Sequence, residues 1–135
     1  MNINIRIIQR NSRSIRNKKE EFFHFLDKTN VHICLVCETW LNEKTSIKQN
    51  FYCYRSDRQE DFGCGLAIFI KRNIRHELIY TINNSLIGNI VIRVYTQYDF
   101  IDIFSCYFPG GTAGSDVLRK QEVTVGAISF LTNYN

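Results

Sequence analysis

The chain has 135 residues, 44% hydrophobic and 22% charged, with 17 Lys and Arg against 13 Asp and Glu for a net charge of +4. That is the size of one domain with a real hydrophobic core, and the composition is ordinary for a soluble globular protein. No apolar run approaches the ~18 residues that span a bilayer. The opening MNINIRIIQRNSR intersperses charges among apolar residues, which is not the plan of a signal peptide. The chain therefore reads as soluble and intracellular, with no membrane partner.

The predicted elements begin with an alternating strand over residues 3–9, where Ile3, Ile5 and Ile7 share a face. It runs into Asn11-Ser12-Arg13-Ser14, a loop rich in capping residues. Residues 17–28 read as an amphipathic helix, with Phe22, Phe25 and Leu26 at i, i+3, i+4 spacing and Lys18, Lys19, Glu21 and Lys28 wet. Val31–Leu41, VHICLVCETWL, follows as a strand apolar enough to be buried on both faces, ending in the carboxylate of Glu38. Taken alone, Glu38 is either a residue that has reached solvent or a group placed for chemistry at a strand end. Strand, helix and strand with short connections predict a parallel pair with a right-handed crossover. Asn11 and Glu38, each following a strand, should then meet on one rim.

From Phe51 the texture changes to short β segments, Phe51–Ser56, Cys64–Lys71, Ile74–Tyr80, Asn89–Thr96 and Phe100–Phe108, separated by turn-type breaks. They predict an antiparallel meander. Pro109, Gly110 and Gly111 stop the last strand, and residues 115–132 predict a final helix. No internal repeat or low-complexity linker divides the chain.

Two further features bear on chemistry. The five cysteines include Cys34 and Cys37 as a CxxC, but inside a strand that spacing sends the side chains to opposite faces, and no second pair completes a zinc site. Buried free thiols are the better reading. Arg6, Arg10, Arg13, Arg16, Lys18 and Lys19 all precede the first acidic residue, Glu20. Such a cluster suits a phosphate-bearing partner, or is a solvated face that keeps the protein soluble.

The ordered set Asn11–Ile15, then a helix, then Glu38-Thr39-Trp40-Leu41, resembles the endonuclease/exonuclease/phosphatase superfamily. Tyr54-Arg55-Ser56-Asp57-Arg58, the glycine-flanked Gly63–Ile68, Tyr107-Phe108-Pro109 and the closing Ala127–Asn135 extend the resemblance across essentially the whole chain. It looks most like the apurinic-type endonuclease domain of non-LTR retrotransposons.

The resemblance implies an α/β fold: the N-terminal half of a four-layered α/β sandwich, a βαβ unit followed by an antiparallel meander, with a mixed sheet and flanking helices. It implies Mg²⁺ (or Mn²⁺) as cofactor and DNA as partner. Glu38 stands at the position of the metal-binding glutamate, Asn11 at that of the active-site asparagine, and Tyr107 at that of the tyrosine beside the scissile phosphate. Arg13 and Arg58 are candidate DNA contacts, and Trp40 is expected to be a packing anchor behind the site.

The family's downstream Gly-Asp-Phe-Asn strand and its Ser-Asp-His motif do not occur in these 135 residues, and Cys64 stands where the family usually has Gly. None of His24, His32 and His76 has the family's catalytic context. The chain is accordingly expected to be a partial domain over 1–135, truncated before the second sheet. The face left bare would make it marginally stable, and its partner would be the missing C-terminal half or a second copy. The expected function is an incomplete, weakly active or inactive Mg²⁺-dependent DNA endonuclease, nuclear if it acts on chromosomal DNA. The alternative is a catalytically dead remnant that binds nucleic acid or another partner. A lipid or sugar phosphatase fits the Glu-Thr-Trp-Leu and Tyr-Arg-Ser-Asp-Arg segments less well.

Overall fold

The computed structural model describes residues 4–12, 14–41, 50–57, 65–83 and 88–107. Strand β1 (Ile7–Asn11) leads through helix α1 (Lys19–Thr29) into β2 (Ile33–Cys37), and the two strands pair in parallel with Ile7 opposite Ile33 and Asn11 opposite Cys37. The helix carries Glu20 and Glu21 in its first turn and Lys28 in its last, charges that complement its dipole. It stops at Asn30, whose left-handed backbone (φ 54°) caps it and whose Oδ1 accepts from Lys71 Nζ at 2.7 Å. The buried side chains of α1 are Phe22, Phe23 and Leu26, so the helix presents Phe23 as well as Phe22 to the sheet and leaves Phe25 half-buried.

The β segments that follow do not form one meander. Strands β3 (Phe51–Ser56) and β4 (Leu66–Lys71) pair with each other, and β4 docks antiparallel on β2, giving a four-stranded sheet ordered β1-β2-β4-β3. Strands β5 (His76–Asn83), β6 (Gly88–Tyr95) and β7 (Phe100–Tyr107) form a separate antiparallel sheet. The expected four-layered α/β sandwich with flanking helices is therefore corrected. The described residues are mostly strand, with seven strands in two sheets and a single helix. The predicted helix over 115–132 lies outside the described residues.

Each face of the first sheet has its own core. Toward α1, Cys34, Val36, Ala67 and Phe69 meet Phe22, Phe23 and Leu26. Phe69 is fully buried, with its ring 5.2 Å from that of Phe22 and 5.6 Å from that of Phe23. On the opposite face, Ile33, Leu35, Ile68 and Ile70 pack with Ile90, Ile92, Val94 and Ile103 of the second sheet. The bare apolar face expected on the first sheet is thus absent, because β3 and β4 lie against the second sheet and the residues between are sealed from water. Alternation explains the division, since odd and even positions of β2 serve different cores.

The sheets are also joined at their edges. The Ile74 carbonyl lies 2.8 Å from His76 Nδ1 and can only accept, so Nδ1 carries the ring proton. In the neutral ring Nε2 then accepts from the Tyr54 hydroxyl at 2.8 Å, linking β5 to β3. Burial, and secondarily the neighbouring Tyr52, raises the Tyr54 pKa and keeps that proton in place.

Two measurements check this packing. Phe69→Ala should cost about 3–5 kcal/mol in urea unfolding, because a ring shared by two helical aromatics is lost from a site that cannot collapse; a loss under 1 kcal/mol would refute the assigned helix–sheet core. His32 Nδ1 accepts the Arg6 backbone N–H at 2.9 Å, and burial, then the charges of Lys71 and Arg6, hold its pKa below the ordinary 6.5. A lowered folded pKa means the unfolded chain takes up the proton first. Stability is full above about pH 6.5 and falls as pH drops toward the folded pKa. Between pH 7 and 5 the melting temperature of the parent should fall further than that of His32→Asn, whose amide oxygen accepts at every pH. Equal slopes would remove His32 from the account.

Candidate functional site

Past the ends of β1 and β2 the two chains stay hydrogen-bonded. Ser12 N–H donates to the Cys37 carbonyl at 3.1 Å, Ser14 N–H to the Glu38 carbonyl at 2.7 Å, and Ile15 N–H to the Thr39 carbonyl at 3.0 Å. The Ser12 hydroxyl adds a donor to the Glu38 carbonyl at 3.0 Å. The backbone of Glu38 is thus fixed by two residues of the loop after β1. Asn11, the last residue of β1, is exposed and sits opposite Cys37, so Asn11 and Glu38 share one rim.

This rim carries unusual backbone. Ser14 (φ 92°), Glu38 (φ 55°), Trp40 (φ 56°) and Gly65 (φ 118°) all adopt left-handed conformations here; among the described residues the one other case is the helix cap Asn30. Such conformations cost about 1–3 kcal/mol each in non-glycine residues and persist where the surroundings hold them. Thr39, between two of them, is fully buried and donates its N–H to the Gly65 carbonyl at 3.4 Å. Leu41 N–H reaches Thr39 Oγ1 at 3.5 Å. Trp40 is 42% exposed, so it is not the packing anchor expected from the sequence; Leu41, 2% exposed, fills that place.

The second sheet reaches the same rim. Cys37 lies opposite Leu66, and Leu66 opposite Ser56. A Cβ added to Gly88, the first residue of β6, would lie 3.4 Å from Leu66 Cδ1 and 3.7 Å from Ser56 Oγ. Gly88 pairs with Tyr107, the last residue of β7. The backbone therefore sets Asn11, Glu38 and Tyr107, drawn from both sheets, along one edge of the fold. Arg13 and Arg58 lie outside the described residues.

Sequence reasoning passed over two residues here. Ser12, which holds the Glu38 carbonyl, read as one of several loop hydroxyls. Asp57 follows β3, which ends on this rim too because β3 runs parallel to β2 through the shared partner β4. Its carboxylate takes the Arg55 guanidinium through both oxygens. The two-residue spacing of Arg55 and Asp57 at a strand end was the available signal.

Burial first, and then the negative charge of Glu38, push the Cys37 thiol up to about 11, so it is a neutral thiol beside the site and no nucleophile near neutral pH. Cys34 and Cys53 are pushed up to about 12 by burial. The oxygen donors of Glu38 and Asn11 are of the hard type that Mg²⁺ takes alongside water and phosphate oxygens. Among the described residues no group of three or more His, Cys, Asp and Glu side chains is placed to hold a metal, so the described protein ligands would be few. No family model matches the chain, and no curated protein matches it in sequence.

Gly65 is the position at which this rim is most easily broken. A Cβ there would clash with Thr39 Oγ1, at a φ that side chains rarely adopt. Gly65→Ala should destabilise by about 2–5 kcal/mol from strain and overpacking together. Adding Thr39→Ala should restore part of that loss in urea unfolding. Full tolerance of Gly65→Ala alone would show that the close approach is not a constraint.

Proposed function

We propose that the chain is a phosphodiesterase domain that nicks DNA with the help of Mg²⁺ or Mn²⁺, of the kind found in the apurinic-type endonucleases of non-LTR retrotransposons. The observation that supports this reading most is the convergence of Asn11, Glu38 and Tyr107, far apart in sequence, on one rim of two packed sheets. Held backbone at Glu38 adds to it, because it fixes the point from which the carboxylate extends. In this reading Glu38 would hold the ion and Asn11 would help position the phosphate. When bound, the ion supplies charge to offset that which develops on the phosphoryl oxygens. Water adds to phosphorus, the bond to the leaving sugar oxygen breaks, and that oxygen takes the proton. Tyr107 is assigned to the phosphate, where a phenol can donate to an oxygen as its charge grows. No helix among the described residues is long and apolar enough to cross a membrane. Action on chromosomal DNA would put the protein in the nucleus.

A second reading, an inactive nucleic-acid-binding remnant, is favoured by the Asp57–Arg55 pair. That pair engages both oxygens of Asp57, a carboxylate on the same rim.

A plasmid-nicking assay separates the two. We expect slow nicking of supercoiled DNA in Mg²⁺ or Mn²⁺ and none in EDTA. Glu38→Ala should lose at least about tenfold in rate while keeping salt-sensitive DNA binding. A parent protein that binds DNA without nicking it would establish the second reading, and nicking undiminished in Glu38→Ala would overturn the role of Glu38.

A further inference from the structure

Arg10 and Ser12 flank Asn11, and alternation turns them to the other side of the first sheet: Arg10 lies opposite Val36 of the helix-facing core, whereas Asn11 lies opposite Cys37 of the inter-sheet core. On that helix-facing side is a cleft of about 200 Å³ between the end of β1 and the first turns of α1. Arg10 and Lys18 supply its positive charge, and the Ser12 and Ser14 hydroxyls line it. Phe22 and Phe25 provide apolar wall. Among the described residues neither Arg10 nor Lys18 makes an ion pair. The Arg10 guanidinium lies over the Phe25 ring, 4.8 Å from its centroid, a contact that places the charge without using its N–H donors. The Ser14 hydroxyl accepts from Arg16 N–H at 3.3 Å, so its own hydrogen remains to be donated.

We infer that this cleft is a phosphate-binding site, with Arg10 and Lys18 as the cationic ligands and the Ser14 hydroxyl as a neutral donor. Two cations and a hydroxyl around a small opening match a tetrahedral oxyanion better than a carboxylate-bearing partner or a solvated surface, because a solvated face needs no cleft and no ring to fix its arginine. Glu21 lines the same cleft, and its charge works against an anion, so the site is tuned below the affinity its cations alone would give. The inference goes beyond the hydrolytic reading. The cleft lies on the face of the sheet away from the inter-sheet side, and phosphate binding there needs neither a metal nor turnover. The phosphate comes from a nucleic-acid strand crossing the rim or from free phosphate, and the chemistry recognised is the same.

Titration calorimetry at low salt in EDTA tests it apart from any nuclease activity. Inorganic phosphate should bind the parent saturably. Arg10→Gln with Lys18→Gln should weaken it about tenfold or more, as loss of charge-assisted contacts does. Glu21→Gln should tighten it by about two- to fivefold. Arg72→Gln with Arg75→Gln removes equal charge at the opposite end of the sheet and should change binding less than about twofold; far-UV circular dichroism confirms that each variant is folded. A short single-stranded oligonucleotide without terminal phosphate that competes with phosphate would identify a strand as the source, and failure to compete would identify free phosphate. Absence of saturable binding to the parent, or equal losses from the two double variants, would overturn the inference.

Discussion

Every residue of β2 is buried, and a strand in that condition must be covered on both faces. Most of the fold follows from this. The cover on one side is α1, folded back in the crossover between β1 and β2; the cover on the other includes the second sheet. Strand β4 closes the open edge of β2 and carries the same alternation outward, Ala67 and Phe69 toward the helix and Ile68 and Ile70 toward the second sheet. The rim is where this double cover ends. Beyond Cys37 the backbone of β2 keeps its hydrogen bonds by pairing with the loop after β1, and that pairing holds Glu38 in a conformation an isolated chain would avoid.

Local features of the fold were legible in the sequence, and non-local ones were not. The period of Phe22 and Leu26 marks α1, and the apolar run from Val31 marks β2, because each signal lies within a few neighbouring residues. Of the expected face Phe22 and Leu26 are buried and Phe25 half-buried, and Phe23 joins them; two aromatic residues in succession leave the buried face ambiguous until the partner, Phe69, is known. The division of the five later strands between two sheets is not visible in the sequence. Short alternating strands carry no mark of which edge they will join. The preference of β4 for β2 over β5 is decided by packing that involves residues far apart in the chain.

The candidate site divides in the same way. Glu38 and Asn11 stood out because strand ends in a parallel pair share a rim, a rule that needs only handedness. The arrival of Tyr107 at that rim depends on the register of β6 with β7 and on the position of Gly88 near Leu66, neither of which is written in composition or periodicity. The left-handed backbone at Ser14, Glu38 and Trp40 was also invisible, since none of these residues is of a type that prefers it. Gly65 could have been found, for a glycine just before a buried strand often marks a close approach.

The two sides of the rim differ in their side chains for a structural reason. Strand β1 lies at the edge of its sheet, so alternation gives it one row of side chains facing the inter-sheet side and another facing the helix. Asn11, in the first row, sits opposite Cys37, the residue just before Glu38. Arg10 and Ser12, in the second, face the basic start of α1. One end of one strand thereby carries the Asn11 amide on one face and the Arg10 guanidinium on the other, with the sheet between them. At the end of β3, by contrast, Arg55 and Asp57 lie two residues apart on one face and pair with each other.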